Sequence, residues 1–155
     1  MSFDRFRVGH DDRGGHMYFE VRIFDTVSEM RRHWDRSSLM SQELDRRTRQ
    51  AFGSDAVALC APRTEWTVDR RGRLVAMSPR IGFILLNREY LGGSIVAHEL
   101  IHAALAYWRE RGRDRRWRAA NFGTSATPDE ERFAHIYSEL SRRMTLALHA
   151  RGYWS

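Results

Sequence analysis

A chain of 155 residues and 18.2 kDa is one domain by size, large enough to bury roughly 70% of the surface its unfolded form exposes. With 42% apolar and 12% aromatic residues, 3 Pro and 11 Gly, it is neither disordered nor collagen-like, and apolar runs such as Ile81 to Leu86 are too short to cross a bilayer. The formal charge is +6, yet all 26 cations are arginine and none is lysine, a bias that fits codon usage in a GC-rich genome better than phosphate binding, so nucleic acid is a possible but unfavoured partner. No apolar h-region stands in the first fifteen residues, which points to a cytoplasmic protein with no membrane partner, and those residues are expected to be flexible within a single domain over 1–155. A lone cysteine, Cys60, excludes an intrachain disulfide and a cysteine-ligated zinc; in the run Ala56-Val-Ala-Leu-Cys-Ala61 it reads as a structural thiol.

The segment Met17 to Phe24 alternates Phe19, Val21 and Ile23 against Tyr18, Glu20 and Arg22, the period-2 pattern of a half-buried strand. Thr26-Val-Ser-Glu29 is a capping box opening a helical stretch with Val27, Met30 and Trp34, then Leu44 and Phe52, broken near Ser37-Ser38. Strands are predicted at Ala56 to Ala61, Thr64 to Asp69, Arg73 to Ser78 and Ile81 to Asn87, the middle two joined by the turn Asp69-Arg-Arg-Gly72. From Ser94, a predicted N-cap, the period changes to 3.6 and a helix apolar on most of its circumference runs to about Arg109. A last helix is predicted from the capping box Thr127-Pro-Asp-Glu130 to about His149, with Phe133, Leu140 and Met144 on its apolar stripe. Strands first and helices later imply an α+β fold, its sheet mixed or antiparallel, packed on the buried helix and the C-terminal one.

Within the buried helix, His98-Glu99-Leu100-Ile101-His102 is an HExxH motif. At 100° per residue the two imidazoles lie about 40° apart and one turn from each other, so both reach one ion. Glu99 stands one residue past His98 and cannot join them as a ligand, but it can take a proton from a water on the metal. Chance would produce the motif roughly 0.02 times in such a chain. Two imidazoles and a carboxylate on an apolar helix cost several kcal/mol unless something satisfies them; a hydrogen-bonded core would do so, and so would a cation. Nitrogen and oxygen donors at an open tetrahedral site favour Zn²⁺.

Here the chain resembles the zinc metallopeptidases called zincins, and among them the gluzincins, whose third ligand is a Glu on a later helix in a Glu-x-x-Ala/Ser-Asp pattern. Glu131-Arg-Phe-Ala-His135 matches it with His in place of Asp. Size and element order also look like small ImmA/IrrE-type peptidase domains of phages and mobile elements, a likeness over roughly residues 81–145. The resemblance implies a zincin-like domain in which His98, His102 and Glu131 hold Zn²⁺ and Glu99 is the general base for hydrolysis of a peptide or protein substrate. It further implies that Ile81 to Asn87 is the edge strand along which the peptide pairs; Tyr90, His135 and Tyr137 are candidate oxyanion donors, with no spacing that chooses among them. The third ligand has competitors. Periodicity puts Glu131 almost opposite the apolar stripe and Glu130 on its edge, which favours Glu130, whereas Glu130 is occupied as the capping-box partner of Thr127. Glu131 shares its face with Ala134 and Ser138, small residues that would let the metal helix approach, and with His135, itself an alternative ligand.

SprT-like DNA-associated proteases place a third His soon after HExxH, and none stands there in this chain. Instead Arg109 to Arg118 holds six Arg and one Trp, a composition suited to phosphate contact but equally to an exposed connector at a helix C-terminus. The alternative function is accordingly a DNA-associated or regulatory binding protein with a structural or latent zinc site. His10, His16, His33 and His149 stand singly and are expected at the surface.

Overall fold

A computed structural model describes residues 2–12, 15–36, 56–62, 66–76, 78–113 and 129–155. The fold is α+β. Strands β1 (Phe3–Asp12), β2 (Gly15–Phe24), β3 (Leu59–Pro62) and β6 (Arg80–Asn87) form one sheet in the order β1-β2-β6-β3, and β4 (Trp66–Val68) pairs with β5 (Leu74–Ala76) in a separate ribbon. The main sheet is mixed: β2 and β6 are parallel, while β1 with β2 and β3 with β6 are antiparallel. The helices are α1 (Val27–Arg36), α2 (Gly93–Arg113) and α3 (Asp129–Ala150). No helix among the described residues is long and apolar enough to cross a membrane.

The alternation in β2 divides the molecule into two layers. Met17, Phe19, Val21 and Ile23 face a core shared with Ile81, Ile84 and Leu86 of β6 and with both long helices, through Val96, Leu100, Ala103, Ala104 and Tyr107 of α2 and Ile136, Leu140, Met144 and Leu148 of α3. On the other face Phe24, Leu59, Ala61, Phe83 and Leu85 pack with Met30 of α1. Thr26 caps α1 as predicted, its Oγ1 accepting from the Glu29 N–H at 3.2 Å, and Glu89 accepts from the Val27 N–H at 2.8 Å. Leu44, Phe52 and the Ser37-Ser38 break lie outside the described residues, as do Thr127 and Pro128.

The chain's first residues depart from expectation. Residues 3–12 are a ten-residue strand, and Phe6, Val8 and His10 are buried in period-2 alternation. The sequence hides this because arginine and aspartate fill the outward positions. His10 therefore lies in the core, its ring 5.2 Å from that of Tyr107. Gly9 is needed where the first two strands come closest, since a Cβ there would collide with the Met17 carbonyl. Two further boundaries moved. Gly92 rather than Ser94 caps α2, its carbonyl accepting from the Val96 N–H at 3.1 Å, and α2 runs on to Arg113.

A two-stranded ribbon is marginal by itself. The turn of the β4–β5 ribbon is fixed by Asp69, whose Oδ1 accepts from the N–H groups of Arg71 and Arg73 at 2.8 and 3.0 Å and whose Oδ2 accepts from the Arg73 guanidinium at 2.6 Å. Gly72 supplies the left-handed residue that the turn requires, at φ +72°. The Arg73 guanidinium, with these backbone donors, holds the Asp69 carboxyl down at about 2. An unfolded Asp titrates near ~3.9, so the folded form is favoured above about pH 4 and the advantage is lost as pH falls through 2. Asp69→Asn should therefore lower the melting temperature at pH 7 and leave it unchanged near pH 2; a deficit that persisted at pH 2 would mean that Asp69 does not act through its charge.

Candidate functional site

The α2 helix buries Val96, Leu100, Ala103, Ala104 and Tyr107, and the 100° step between residues then distributes the motif around it. His98 is exposed and His102 half-buried on the flank away from the core, while Glu99, on the border between the two environments, is only 7% exposed. The imidazoles face each other with ring centroids 4.8 Å apart and Nε2 to Nε2 at 3.2 Å, a distance at which one ring can donate a proton to the other.

All three side chains open into a cleft of about 380 Å³ between α2 and the segment 56–60, lined by Ala56, Val57, Ala58, Leu59 and Cys60 on one side and Ile95, His98, Glu99 and His102 on the other. That segment is held from behind: buried Asn87 donates from Nδ2 to the Val57 carbonyl, and the Arg31 Nε donates to the Ala56 carbonyl at 3.1 Å. Asn87 also accepts from the Tyr90 N–H at 3.1 Å, so one residue at the end of β6 fixes both the cleft wall and the turn leading into α2. Burial pushes the Glu99 carboxyl above its ordinary value, and the nearby His98 and the Cys60 backbone N–H pull it part of the way back. His102 is pushed below the usual histidine range, by burial first and then by His98 and Arg109, which favours the neutral imidazole that a metal requires.

His98, Glu99 and His102 are thus brought together as expected, and the remaining predicted residues are not. Glu131, Ala134, His135 and Ser138 are all exposed on α3, which turns Ile136, Leu140, Met144 and Leu148 inward. Ala134 and Ser138 therefore admit no helix; the apolar stripe, not the small residues, decides which face of α3 is covered. The His135 ring lies 5.6 Å from His10 beside Tyr107, on the opposite face of α2 from His98 and ~13 Å further along it. Because α3 runs antiparallel to α2, ending where the Trp154 indole donates to the Leu91 carbonyl at 3.0 Å, Glu131 is one turn further away still. Among the described residues no third His, Cys, Asp or Glu joins the imidazoles in a group that could hold a metal. The side chain of Glu130 and residues 37–55 and 114–128 lie outside the described residues.

The edge assignment also changes. The β6 strand is interior, flanked by β2 and β3, and the edge bordering the cleft is β3. Tyr90, His135 and Tyr137 do not line the cleft. Asn87 was missed although an Asn closing an apolar run before Arg-Glu-Tyr is a recognisable cap signal; nothing in the sequence marks 56–60 as a wall. No protein-family model, curated protein or solved structure matches the chain.

Cys60 lines this cleft half-buried, and burial, followed by the charge of Glu99, raises its thiol well above the ordinary range. It should stay unmodified by iodoacetamide at pH 8 in the folded protein and react on unfolding in urea; rapid alkylation of the native chain would show the thiolate to be stabilised rather than suppressed.

Proposed function

We propose that this chain is a zinc-dependent peptidase of the zincin type, in which His98 and His102 hold the ion and Glu99 is the general base. What carries the proposal is the arrangement of the two imidazoles and the carboxylate around one cleft. Two nitrogen ligands ~2.0–2.1 Å from a tetrahedral centre stand ~3.3 Å apart, and the 3.2 Å between the Nε2 atoms fits that spacing with little movement. When bound, Zn²⁺ supplies Lewis acidity, which lowers the pKa of a water and polarises a peptide carbonyl.

The chain's own contribution is positional. The Cys60 N–H holds the Glu99 carboxylate and favours its charged form, leaving carboxylate oxygen free to accept a proton from a water at the imidazoles. Partial burial brings the Glu99 pKa closer to neutrality, where a base both accepts and returns a proton, as departure of the amine demands. The apolar wall of Ala56, Val57, Ala58 and Leu59 keeps bulk water from one side of the cleft, and the β3 edge offers main-chain groups along which an extended protein substrate can lie. Glu131 as third ligand rests on the gluzincin-like spacing alone; the packing of α3 does not favour it.

The purified chain should carry about one zinc, and zinc at 100 times its dissociation constant should stabilise the stripped protein by about 2.7 kcal/mol. His98→Ala and His102→Ala should abolish both effects, whereas Glu99→Gln should keep the metal and lose hydrolysis of a denatured-protein substrate. No metal in the wild type, or activity in Glu99→Gln, would overturn the proposal. Zinc binding without hydrolysis would assign the site to a structural or latent centre. Glu131→Gln decides the third ligand: a zinc affinity lowered at least tenfold keeps Glu131, and an unchanged one removes it.

A further inference from the structure

The β4–β5 ribbon stands apart from the candidate site and carries two adjacent arginines at its turn. Of the described arginines, Arg22, Arg88, Arg142, Arg143 and Arg151 each have a carboxylate partner, in Glu20, Asp25, Glu139, Asp11 or Asp4. Arg70 and Arg71, at the two central positions of the Asp69 turn, are exposed and have no carboxylate partner among the described residues. Asp69, the acid of the turn itself, is bound to Arg73 and the turn's N–H groups, so its charge tightens the turn. The result is a two-strand ribbon with Arg70 and Arg71 exposed at its turn, flanked by Val68 at 60% exposure.

Its place in the fold adds to this. The ribbon leads directly into Arg80 at the start of β6, and Tyr18, the partner of Arg80, is next to Met17, which pairs with His10. His10 touches Tyr107 near the end of α2, so the last turns of α2, with exposed Arg109, reach the same end of the sheet as the ribbon. Asp11 at that end is taken up by His16 and Arg143.

We infer that the tip of the β4–β5 ribbon, through Arg70 and Arg71, is a contact site for the phosphodiester backbone of a nucleic acid. Guanidinium forks match phosphate oxygens two at a time, and a preorganised turn loses little freedom in presenting them. Bulk charge gave nucleic acid little weight, because an arginine-only composition has another cause. Local placement is a separate observation: Arg70 and Arg71 stand side by side, exposed, at a turn whose own carboxylate is bound inward, and neither has a carboxylate partner among the described residues. Backbone contact carries no base preference, so binding is expected to tolerate any sequence.

The test is fluorescence anisotropy of the full chain with a labelled 20-base-pair duplex of mixed sequence, from 50 to 200 mM salt. Wild type should bind, and log affinity should fall linearly with log salt. The double variant Arg70→Ala/Arg71→Ala should reduce that slope by about 1 per arginine and weaken binding at 100 mM salt by roughly tenfold or more. Arg70→Lys/Arg71→Lys should restore most of the slope, because it keeps the charge. Arg142→Ala, which removes a paired arginine from α3, should leave it unchanged. An equally charged poly-glutamate should compete poorly. Absence of duplex binding at 50 mM salt, an unaltered slope in the Ala double variant, or competition by poly-glutamate as strong as by unlabelled DNA would each overturn the assignment, the last by showing an acidic-protein site instead.

Discussion

The site depends on one constraint, that a helix advances 100° per residue while its core-facing arc is set by neighbours. In α2 the arc through Val96, Leu100, Ala103 and Tyr107 is fixed by the sheet and by α3. Glu99 must then sit on the border of that arc, where burial raises its pKa, and His98 and His102 must sit outside it, where they reach solvent and each other. The chemistry follows from rotation about one axis: carboxylate half in the core, imidazoles half out. A shift of one residue in the apolar pattern would bury an imidazole or release the carboxylate. The opposing wall makes the arrangement a cleft, and that wall stays in place because Asn87 and Arg31 bind its carbonyls.

Much of this was legible in the residues. Alternation in β2 named its buried side chains, the Thr26 cap and Asp69 turn formed where their signals stand, and HExxH spacing alone brings His98 to His102. The rest was less legible for particular reasons. In β1 the alternation is masked by arginine and aspartate at the outward positions, and the interior position of β6 is set by which strands neighbour it, of which local periodicity carries no record. For α3 periodicity was informative and was outweighed: the stripe of Leu140 and Met144 put Glu131 on the outer face, where it is found. The motif spacing taken from the resemblance would need a different packing of α3 to bring Glu131 to the imidazoles.

The two arginine-based observations separate composition from placement. Twenty-six arginines make the chain basic, and the fold pairs some of them with carboxylates, among them Asp4, Asp11, Asp25 and Glu139. The Arg142 and Arg143 side chains hold Glu139 down at about 2, so this pairing persists through neutral and mildly acidic conditions. The ribbon tip is one of the places where arginines stand exposed without such a partner among the described residues.

The β3 strand has a further consequence. Sheet edges invite other chains, because their outward N–H and C=O groups are unpaired. In β3 the Cys60 N–H is held by Glu99, which leaves it outside the ladder to β6, and the next residue of the same orientation is Pro62, which has no N–H at all. This border consequently presents acceptors and no donors. A second copy of the same edge, equally poor in donors, cannot zip onto it, so the strand that closes the cleft is protected from self-association by the same carboxylate that faces the imidazoles.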